Sequence, residues 1–390
     1  MREILIFHGI NIVTKPTVSY NFENLASHVL GTIGQITEEE LKDKQEKSKD
    51  DNENENNSKN EYDLNDIIGK TGIQYVFEEY LKGENGIKQI DMAVDGTVTN
   101  EYISKEAISG SNVILTIDAK LQKAAEKALK DDIIKISTGG YAEISNAKSG
   151  AVVAMNVNSG EILAIASYPD YNPQFFADGI STEKYNEYVN SEEKPLFNRA
   201  ISGAYAPGST FKMVTAIAGL ESNAITPSEK INDIGVYPRG HHPVCWYYTS
   251  FHSGHGLLNV SEAIKHSCNY FFYELGYRMG IDTLSKYASY FGLGKKTGVE
   301  LTGEVNGTLA SKEQTDKEGK EWYLADTLSA AIGQSYNNFT PIQMAKYISM
   351  ITNGGNPVDV TIIKNIINAD GSNVSKEEIN RFVKEKLNLR

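Results

Sequence analysis

The chain predicts an α+β fold, one antiparallel hairpin followed by a run of helices, and three observations carry that prediction. Residues Gly150-Ala-Val-Val-Ala-Met-Asn-Val-Asn-Ser-Gly-Glu-Ile-Leu-Ala-Ile-Ala-Ser167 are two apolar strands around an Asn158-Ser-Gly160 turn, a strong hairpin signal. Apolar residues at helical spacing then mark 208–222, 260–279, 282–291 and 340–352. Helices gathered after a hairpin argue against the alternation that builds a doubly wound parallel sheet.

The elements follow in chain order. Met1-Arg-Glu-Ile-Leu-Ile-Phe-His8 is too short an apolar stretch, with the wrong flanks, for a signal peptide, and no run of 18 apolar residues encodes a membrane span. Taken literally, this describes a soluble cytoplasmic protein. Segments 24–36 and 63–112 form a smaller mixed region with Gly and Asn turns, a strand at Ile87 to Val94 and a helix near Tyr75 to Lys82. Between them, residues 37–63 are almost all Glu, Asp, Lys, Asn, Ser and Gln; they cannot bury enough surface to offset ordering entropy, so a disordered insertion is expected. Val113-Ile-Leu-Thr-Ile-Asp118 then reads as a strand, with Asp118 capping a helix through Lys130. The change of texture there sets the expected domains at 1–112 and 113–390. No internal repeat is visible.

With 390 residues and 40% hydrophobic content, the chain can bury a sizeable core, and the length suggests two or more domains. A net charge of −13 argues against nucleic acid or an anionic membrane face as the main partner. The two cysteines, Cys245 and Cys268, neither demand nor exclude an oxidising compartment.

The chemistry concentrates in the helix at 208–222. Pro207 and Gly208 form the turn that starts it, and Ser209 and Lys212, three apart, fall on one helical face. A serine needs a base to become a nucleophile, and a lysine amine can be that base if burial lowers its pKa. Serine and lysine at this spacing also occur at Ser145 and Lys148, Ser181 and Lys184, and Ser191 and Lys194. Those pairs lie in polar surroundings, whereas Ser209 is backed by a helix apolar on nearly every side, from Met213 to Leu220. A plain helix cap would account for Ser209 but not for the lysine. Further on, Ser267-Cys268-Asn269 precedes the apolar run Tyr270 to Leu275, where a serine and an amide on a turn between helices can reach one cleft. The same Ser-x-Asn pattern at Ser19, Ser58 and Ser335 shows how weak it is alone.

Taken in order, these elements resemble the penicillin-binding serine transpeptidases, most closely the class B, elongation-type members. The resemblance runs from about residue 24 to about 355 and includes Ala26-Ser-His-Val-Leu-Gly31, Asp66-Ile-Ile-Gly-Lys-Thr-Gly72, Tyr168-Pro-Asp-Tyr-Asn-Pro173, Pro195-Leu-Phe-Asn-Arg-Ala-Ile201, Ala331-Ile-Gly-Gln334 and Thr340-Pro-Ile-Gln343. It implies a penicillin-binding transpeptidase domain behind a non-catalytic pedestal, and an enzyme that cross-links peptidoglycan stem peptides and binds β-lactams. Ser209 would attack the penultimate D-alanine carbonyl and Lys212 would take its proton. Ser267 would pass a proton to the leaving nitrogen, Asn269 would hold the donor peptide, and the Ser209 amide would supply half an oxyanion hole. No cofactor is required. The implied partners are a membrane glycosyltransferase and elongation-complex proteins, and the implied location is the extracytoplasmic face of a bacterial membrane.

The sequence departs from the pattern in one respect. The family's third element, a lysine-threonine-glycine on a core strand, belongs well after Asn353-Gly-Gly355, and the only matches are Lys70-Thr-Gly72 in the pedestal and Lys296-Thr-Gly298 in a loop. The expectation is a sequence truncated at both ends, short of its anchor and of that strand. Loss of one oxyanion donor typically costs ~10²–10³ in rate, so the 390-residue chain is expected to be poorly active or unstable although its parent is a transpeptidase.

Asp233, Cys245, His255 and Cys268 are all ligand-type residues and would make a closed tetrahedral zinc site pinning loop 233–255 onto the active-site helix. Their spacing matches no standard zinc pattern; His241, His242 or His252 could substitute, and two buried thiols with a surface histidine, or a disulfide, remain open readings. Two rival functions also stand beside transpeptidation: a serine β-lactamase or β-lactam sensor, and a non-catalytic scaffold.

Overall fold

The computed structural model describes residues 17–50, 62–94, 98–141 and 143–389; the opening stretch 1–8 and the polar run 51–60 lie outside the described residues. The first region holds α1 (Ser27–Leu30) and a small antiparallel ladder of β1 (Ile33–Gln35) on β2 (Ile67–Gly69), with α2 (Glu38–Asp50) between the strands. The helix corrects the expectation of disorder over 38–50, while residues 51–61 of that segment lie outside the described residues. Thr37 and Glu40 cap it reciprocally, Thr37 N–H to Glu40 Oε2 at 2.8 Å and Glu40 N–H to Thr37 Oγ1 at 3.2 Å, and Lys70 ties Glu40 to the ladder. Capping is local, and the hydrophobic content of the segment does not register it. α3 (Gly72–Val76) and α4 (Glu78–Leu81) follow, then an exposed ribbon of β3 (Ile87–Met92) and β4 (Val98–Lys105).

β5 (Asn112–Leu115) forms where a strand was expected and leads to α5 (Ala119–Ser137), whose cap Asp118 accepts from the amides of Lys120 and Leu121. The hairpin is β6 (Gly150–Met155) on β7 (Ile162–Tyr168). Gln122 of α5 is fully buried and uses its amide as a strand would, donating to Ile165 O at 2.7 Å and accepting from Ile165 N at 2.8 Å, which closes the outer edge of β7. Short helices α6 (Gln174–Ala177), α7 (Thr182–Asn190) and α8 (Arg199–Ser202) come next. Buried Arg199 gathers the carbonyls of Glu193, Lys194 and Phe197 and so fixes the approach to residue 209.

After them come α9 (Lys212–Glu221), β8 (Ile231–Asp233), α10 (Trp246–Phe251), β9 (Gly256–Leu258), α11 (Val260–Lys265) and α12 (Asn269–Tyr290). The chain finishes with α13 (Lys312–Lys317), α14 (Leu324–Ala331), α15 (Pro341–Thr352), β10 (Ile363–Ile367) and α16 (Lys376–Lys386). The helical stretch expected over 260–279 is two helices parted by the turn at 266–268, where Ser267 adopts φ +50°, and α12 then continues past a kink at Gly280 to take in 282–291.

Three apolar clusters form the core. One joins Val29, Val76 and Phe77 of the first region to Ile162 and Ile165 of the hairpin and to Ile366 and Val383 near the end. The other two lie on either side of α9, with Ala216 in an aromatic cluster around Cys245 and Cys268, and Val214 and Ala218 in a cluster with Phe211 and Tyr347. That double burial is the physical meaning of a helix apolar on nearly every side.

Candidate active site

Ser209 lies in a 3₁₀ turn, Gly208–Phe211, that feeds α9. Lys212 N–H closes the turn on Ser209 O, and at three residues per turn this stacks position 212 over 209. The turn is braced from α14 and α15: Gly208 N–H donates to Gly333 O at 2.9 Å, Tyr347 Oη–H to Thr210 O at 2.9 Å, and Thr215 Oγ1–H to Ala331 O at 2.7 Å. A Cβ on Gly333, which has φ +77°, would stand 2.1 Å from Gly208 O, so glycine is what lets the two segments touch.

Ser209 is exposed, while Lys212 is 2% exposed. The lysine Nζ lies 2.8 Å from Ser267 O, 3.0 Å from Ser267 Oγ and 2.6 Å from Asn269 Oδ1. The structure therefore brings Lys212, Ser267 and Asn269 together, with Ser209 one turn away on the open side. Among the described residues no hydrogen bond joins Ser209 Oγ to the lysine, whose donors are taken by the Ser267–Asn269 pair. Burial brings the Lys212 ammonium down to about 8, against the opposing influence of the nearby thiols of Cys268 and Cys245. The three contacts suit both protonation states: an ammonium donates to all three, and a neutral amine donates to the two carbonyls and accepts from the Ser267 hydroxyl.

The other serine–lysine pairs do nothing comparable. Ser181 caps α7 through Lys184 N–H, and Lys148 pairs with exposed Glu192. Asn337, of the Ser335 pattern, spans Ala310 N and Ala330 O inside the core; the Ser58 pattern lies outside the described residues. Lys70-Thr-Gly72 serves the pedestal ladder through Thr71 Oγ1 and Thr32, and Thr297 and Gly298 close a loop on Glu304. Glu300 is engaged with Thr361 and Ile362 N–H. A cavity of 980 Å³ runs along the seam between the first region and the hairpin side, lined by Thr32, Lys70, Tyr171 and Phe176, and includes none of the four site residues.

Asp233, Cys245, His255 and Cys268 do converge, with their ligating atoms all within 4.8 Å of one another. His255 Nδ1 is 2.7 Å from Asp233 Oδ2 and 3.7 Å from Cys245 Sγ, and Cys268 Sγ is 3.3 Å from the same carboxylate oxygen. The cysteines are buried and unbridged, and the His255 side chain is 5% exposed, so the surface-histidine and disulfide readings do not describe this structure. Burial raises the Asp233 carboxyl, but the bonds from His255, Gly235 and Cys268 outweigh it and hold the group below its ordinary value. The bond between the two thiols pulls Cys245 below the ordinary thiol range and pushes Cys268 above it. His255 Nε2 is buried without a partner, leaving Nδ1 as the nitrogen aimed into the cluster. Two buried thiols, a carboxylate and an oriented imidazole within 4.8 Å of one another form a donor set that fits zinc.

Known proteins resemble this chain in sequence and in overall fold. The family described as penicillin binding protein transpeptidase domain matches residues 150–388, and the penicillin-binding protein dimerisation domain matches residues 2–115. The peptidoglycan D,D-transpeptidase MrdA of Acinetobacter baumannii is 32% identical over 90% of this chain and 48% of its own length. The chain thus spans about half the length of the curated relatives it matches. The crystal structure of Pseudomonas aeruginosa PBP2 in complex with WCK 5153 superposes with a TM-score of 0.70 at 29% identity, over 96% of this chain and 75% of that one. The Helicobacter pylori PBP2 complex with MreC gives 0.72 at 28% identity, over 94% and 62%.

Proposed function

Because the chain belongs to the penicillin-binding protein transpeptidase family, and within it to the class B, elongation-type branch, we propose that it forms part of a peptidoglycan D,D-transpeptidase acting through an acyl-enzyme on Ser209. The observation that carries this reading is the buried lysine held between Ser267 and Asn269 beside an exposed serine. Lys212, neutral above about pH 8, takes the Ser209 proton as Oγ attacks the penultimate D-alanine carbonyl. Ser267, bonded to the lysine, returns a proton to the leaving D-alanine nitrogen. Asn269 has turned its carbonyl to the lysine, which leaves its amide nitrogen to meet the donor peptide backbone. Ser209 N–H, at the second position of its turn, lacks an intrahelical acceptor and is placed to donate to an oxyanion. An amine from a neighbouring stem then takes the acyl group.

β-Lactams acylate the same serine in this reading. Incubation of the purified protein with a penicillin, intact-mass spectrometry and peptide mapping should give one adduct on Ser209 and none in Ser209→Ala. An adduct on another residue, or one that persists in Ser209→Ala, would contradict the assignment. The rival hydrolase needs a carboxylate to activate water; Glu300 and Glu304 are occupied in loop closure, so the adduct should persist for hours.

The partners fit the same reading. The Helicobacter relative is seen in complex with MreC, and we assign the first region of this chain to contacts of that kind, with a membrane glycosyltransferase as the polymerising partner and peptidoglycan stem peptides as substrate. The working location is the extracytoplasmic face of the membrane. No helix among the described residues is long and apolar enough to cross a bilayer.

Asp233, Cys245, His255 and Cys268 would hold a structural zinc ion, which supplies a cross-link between β8, the start of α10 and the Ser267–Asn269 turn. Elemental analysis after metal-replete expression should find about one zinc per chain, falling severalfold in Cys268→Ser; a stoichiometry near zero would remove the idea.

A further inference from the structure

The carbonyl of Ser267 receives two donors. One is Lys212 Nζ at 2.8 Å; the other is the indole Nε1–H of Trp246 at 3.0 Å, which also reaches His266 O at 3.3 Å. Ser267 sits at φ +50°, a left-handed conformation that a serine holds only when its surroundings impose it. Trp246 is the contact that spans the two carbonyls of this bend, and it is the first residue of α10, immediately after Cys245. Its ring meets the His255 ring at 5.7 Å and 65°. The indole therefore meets the ligand cluster in an edge-type contact with His255 while its N–H ends on the turn that holds the lysine.

We propose that Trp246 is a positioning residue for the acylation reaction, which fixes the Ser267 turn by sharing its carbonyl with Lys212. The proposal rests on the assignment of Ser209, Lys212 and Ser267 made above. The shared carbonyl has a definite consequence. The lysine and the indole compete for electron density on one oxygen, so removing either strengthens the bond of the other. The indole N–H also prevents the Ser267–Asn269 turn from relaxing out of its left-handed bend, which would carry Ser267 Oγ away from the amine. Because the residue is 43% exposed, its role is not that of a core side chain, and phenylalanine keeps the ring packing on His255 while deleting only the donor.

Two measurements test this. In protein labelled at the indole nitrogens, the Trp246 resonance, identified by its loss in Trp246→Phe, should move when Lys212 is changed to Met. In stopped-flow acylation with a fluorescent penicillin, Trp246→Phe should lower the acylation rate constant about 10- to 100-fold, the range for a group that orients a reacting side chain, while the preceding binding constant stays within about twofold. An indole resonance unmoved by Lys212→Met would overturn the proposal. So would acylation within twofold of the parent, or a slower rate accompanied by loss of metal or of the folded state, which would make Trp246 a packing residue. If the unmutated chain itself forms no adduct on Ser209, the acylating role given to that serine in this chain fails, and the indole measurement still decides whether the two donors share the carbonyl.

Discussion

Lys212 carries the most direct pH signature. Its buried ammonium is lowered from 10.5 to about 8, so the neutral amine accumulates as pH rises through that value. Second-order acylation rates should climb with pH to a plateau above about 8, and a flat profile would remove the lysine as base. Lys212→Arg should lose acylation by at least ~10² because a guanidinium stays protonated at every accessible pH. Stability follows the same sign: between about 8 and 10.5 the unfolded chain holds a proton that the folded chain has released, so this contribution grows with pH in that window and is absent below it. The site was partly legible at this scale. Ser209 and Lys212 stand out because an apolar helix follows them. Trp246 does not, since nothing in the order Cys245-Trp246-Tyr247 reveals that its N–H reaches a turn some twenty positions later.

Among the elements, the turn at 208–211 depends on its neighbours more than on itself. Gly333 at φ +77° lies against Gly208 O, so Gly333→Ala adds both left-handed strain and a clash. The expected cost is about 1–3 kcal/mol in stability and at least ~10-fold in penicillin acylation, read from urea midpoints and adduct formation. Parent-like acylation in that variant would show that the brace is dispensable. The hairpin, the strand before Asp118 and the helix at 340–352 were readable from period and turn chemistry. The bend at Ser267 was placed by the Ser-x-Asn pattern, but its left-handed form was not readable, because apolar spacing continues across 260–279 and Ser-Cys-Asn contains no Gly or Pro to mark it. The ligand cluster was readable by residue type only; Asp233, Cys245, His255 and Cys268 arrive from separate segments, and tertiary folding sets their distances.

Across the whole molecule, the first apolar cluster ignores the sequence division at 112. Phe77 and Val76 are fully buried in one core with Ile162 of the hairpin and Ile366 of β10. Phe77→Ala should therefore destabilise the hairpin side as well, by about 3–5 kcal/mol, and calorimetry should show one shifted transition rather than loss of a separate early one. A transition of the hairpin side left in place would mean two independent units. The pairing of β5 with β10 has a further consequence, one of timing. Leu115 meets Ile363 across about 250 residues, a separation that makes the contact slow to find. At a synthesis rate of roughly 5–20 residues per second, β5 leaves the ribosome tens of seconds before its partner exists. β5 stays without its ladder partner for that interval, and the strand made last in this pair determines when the first becomes native.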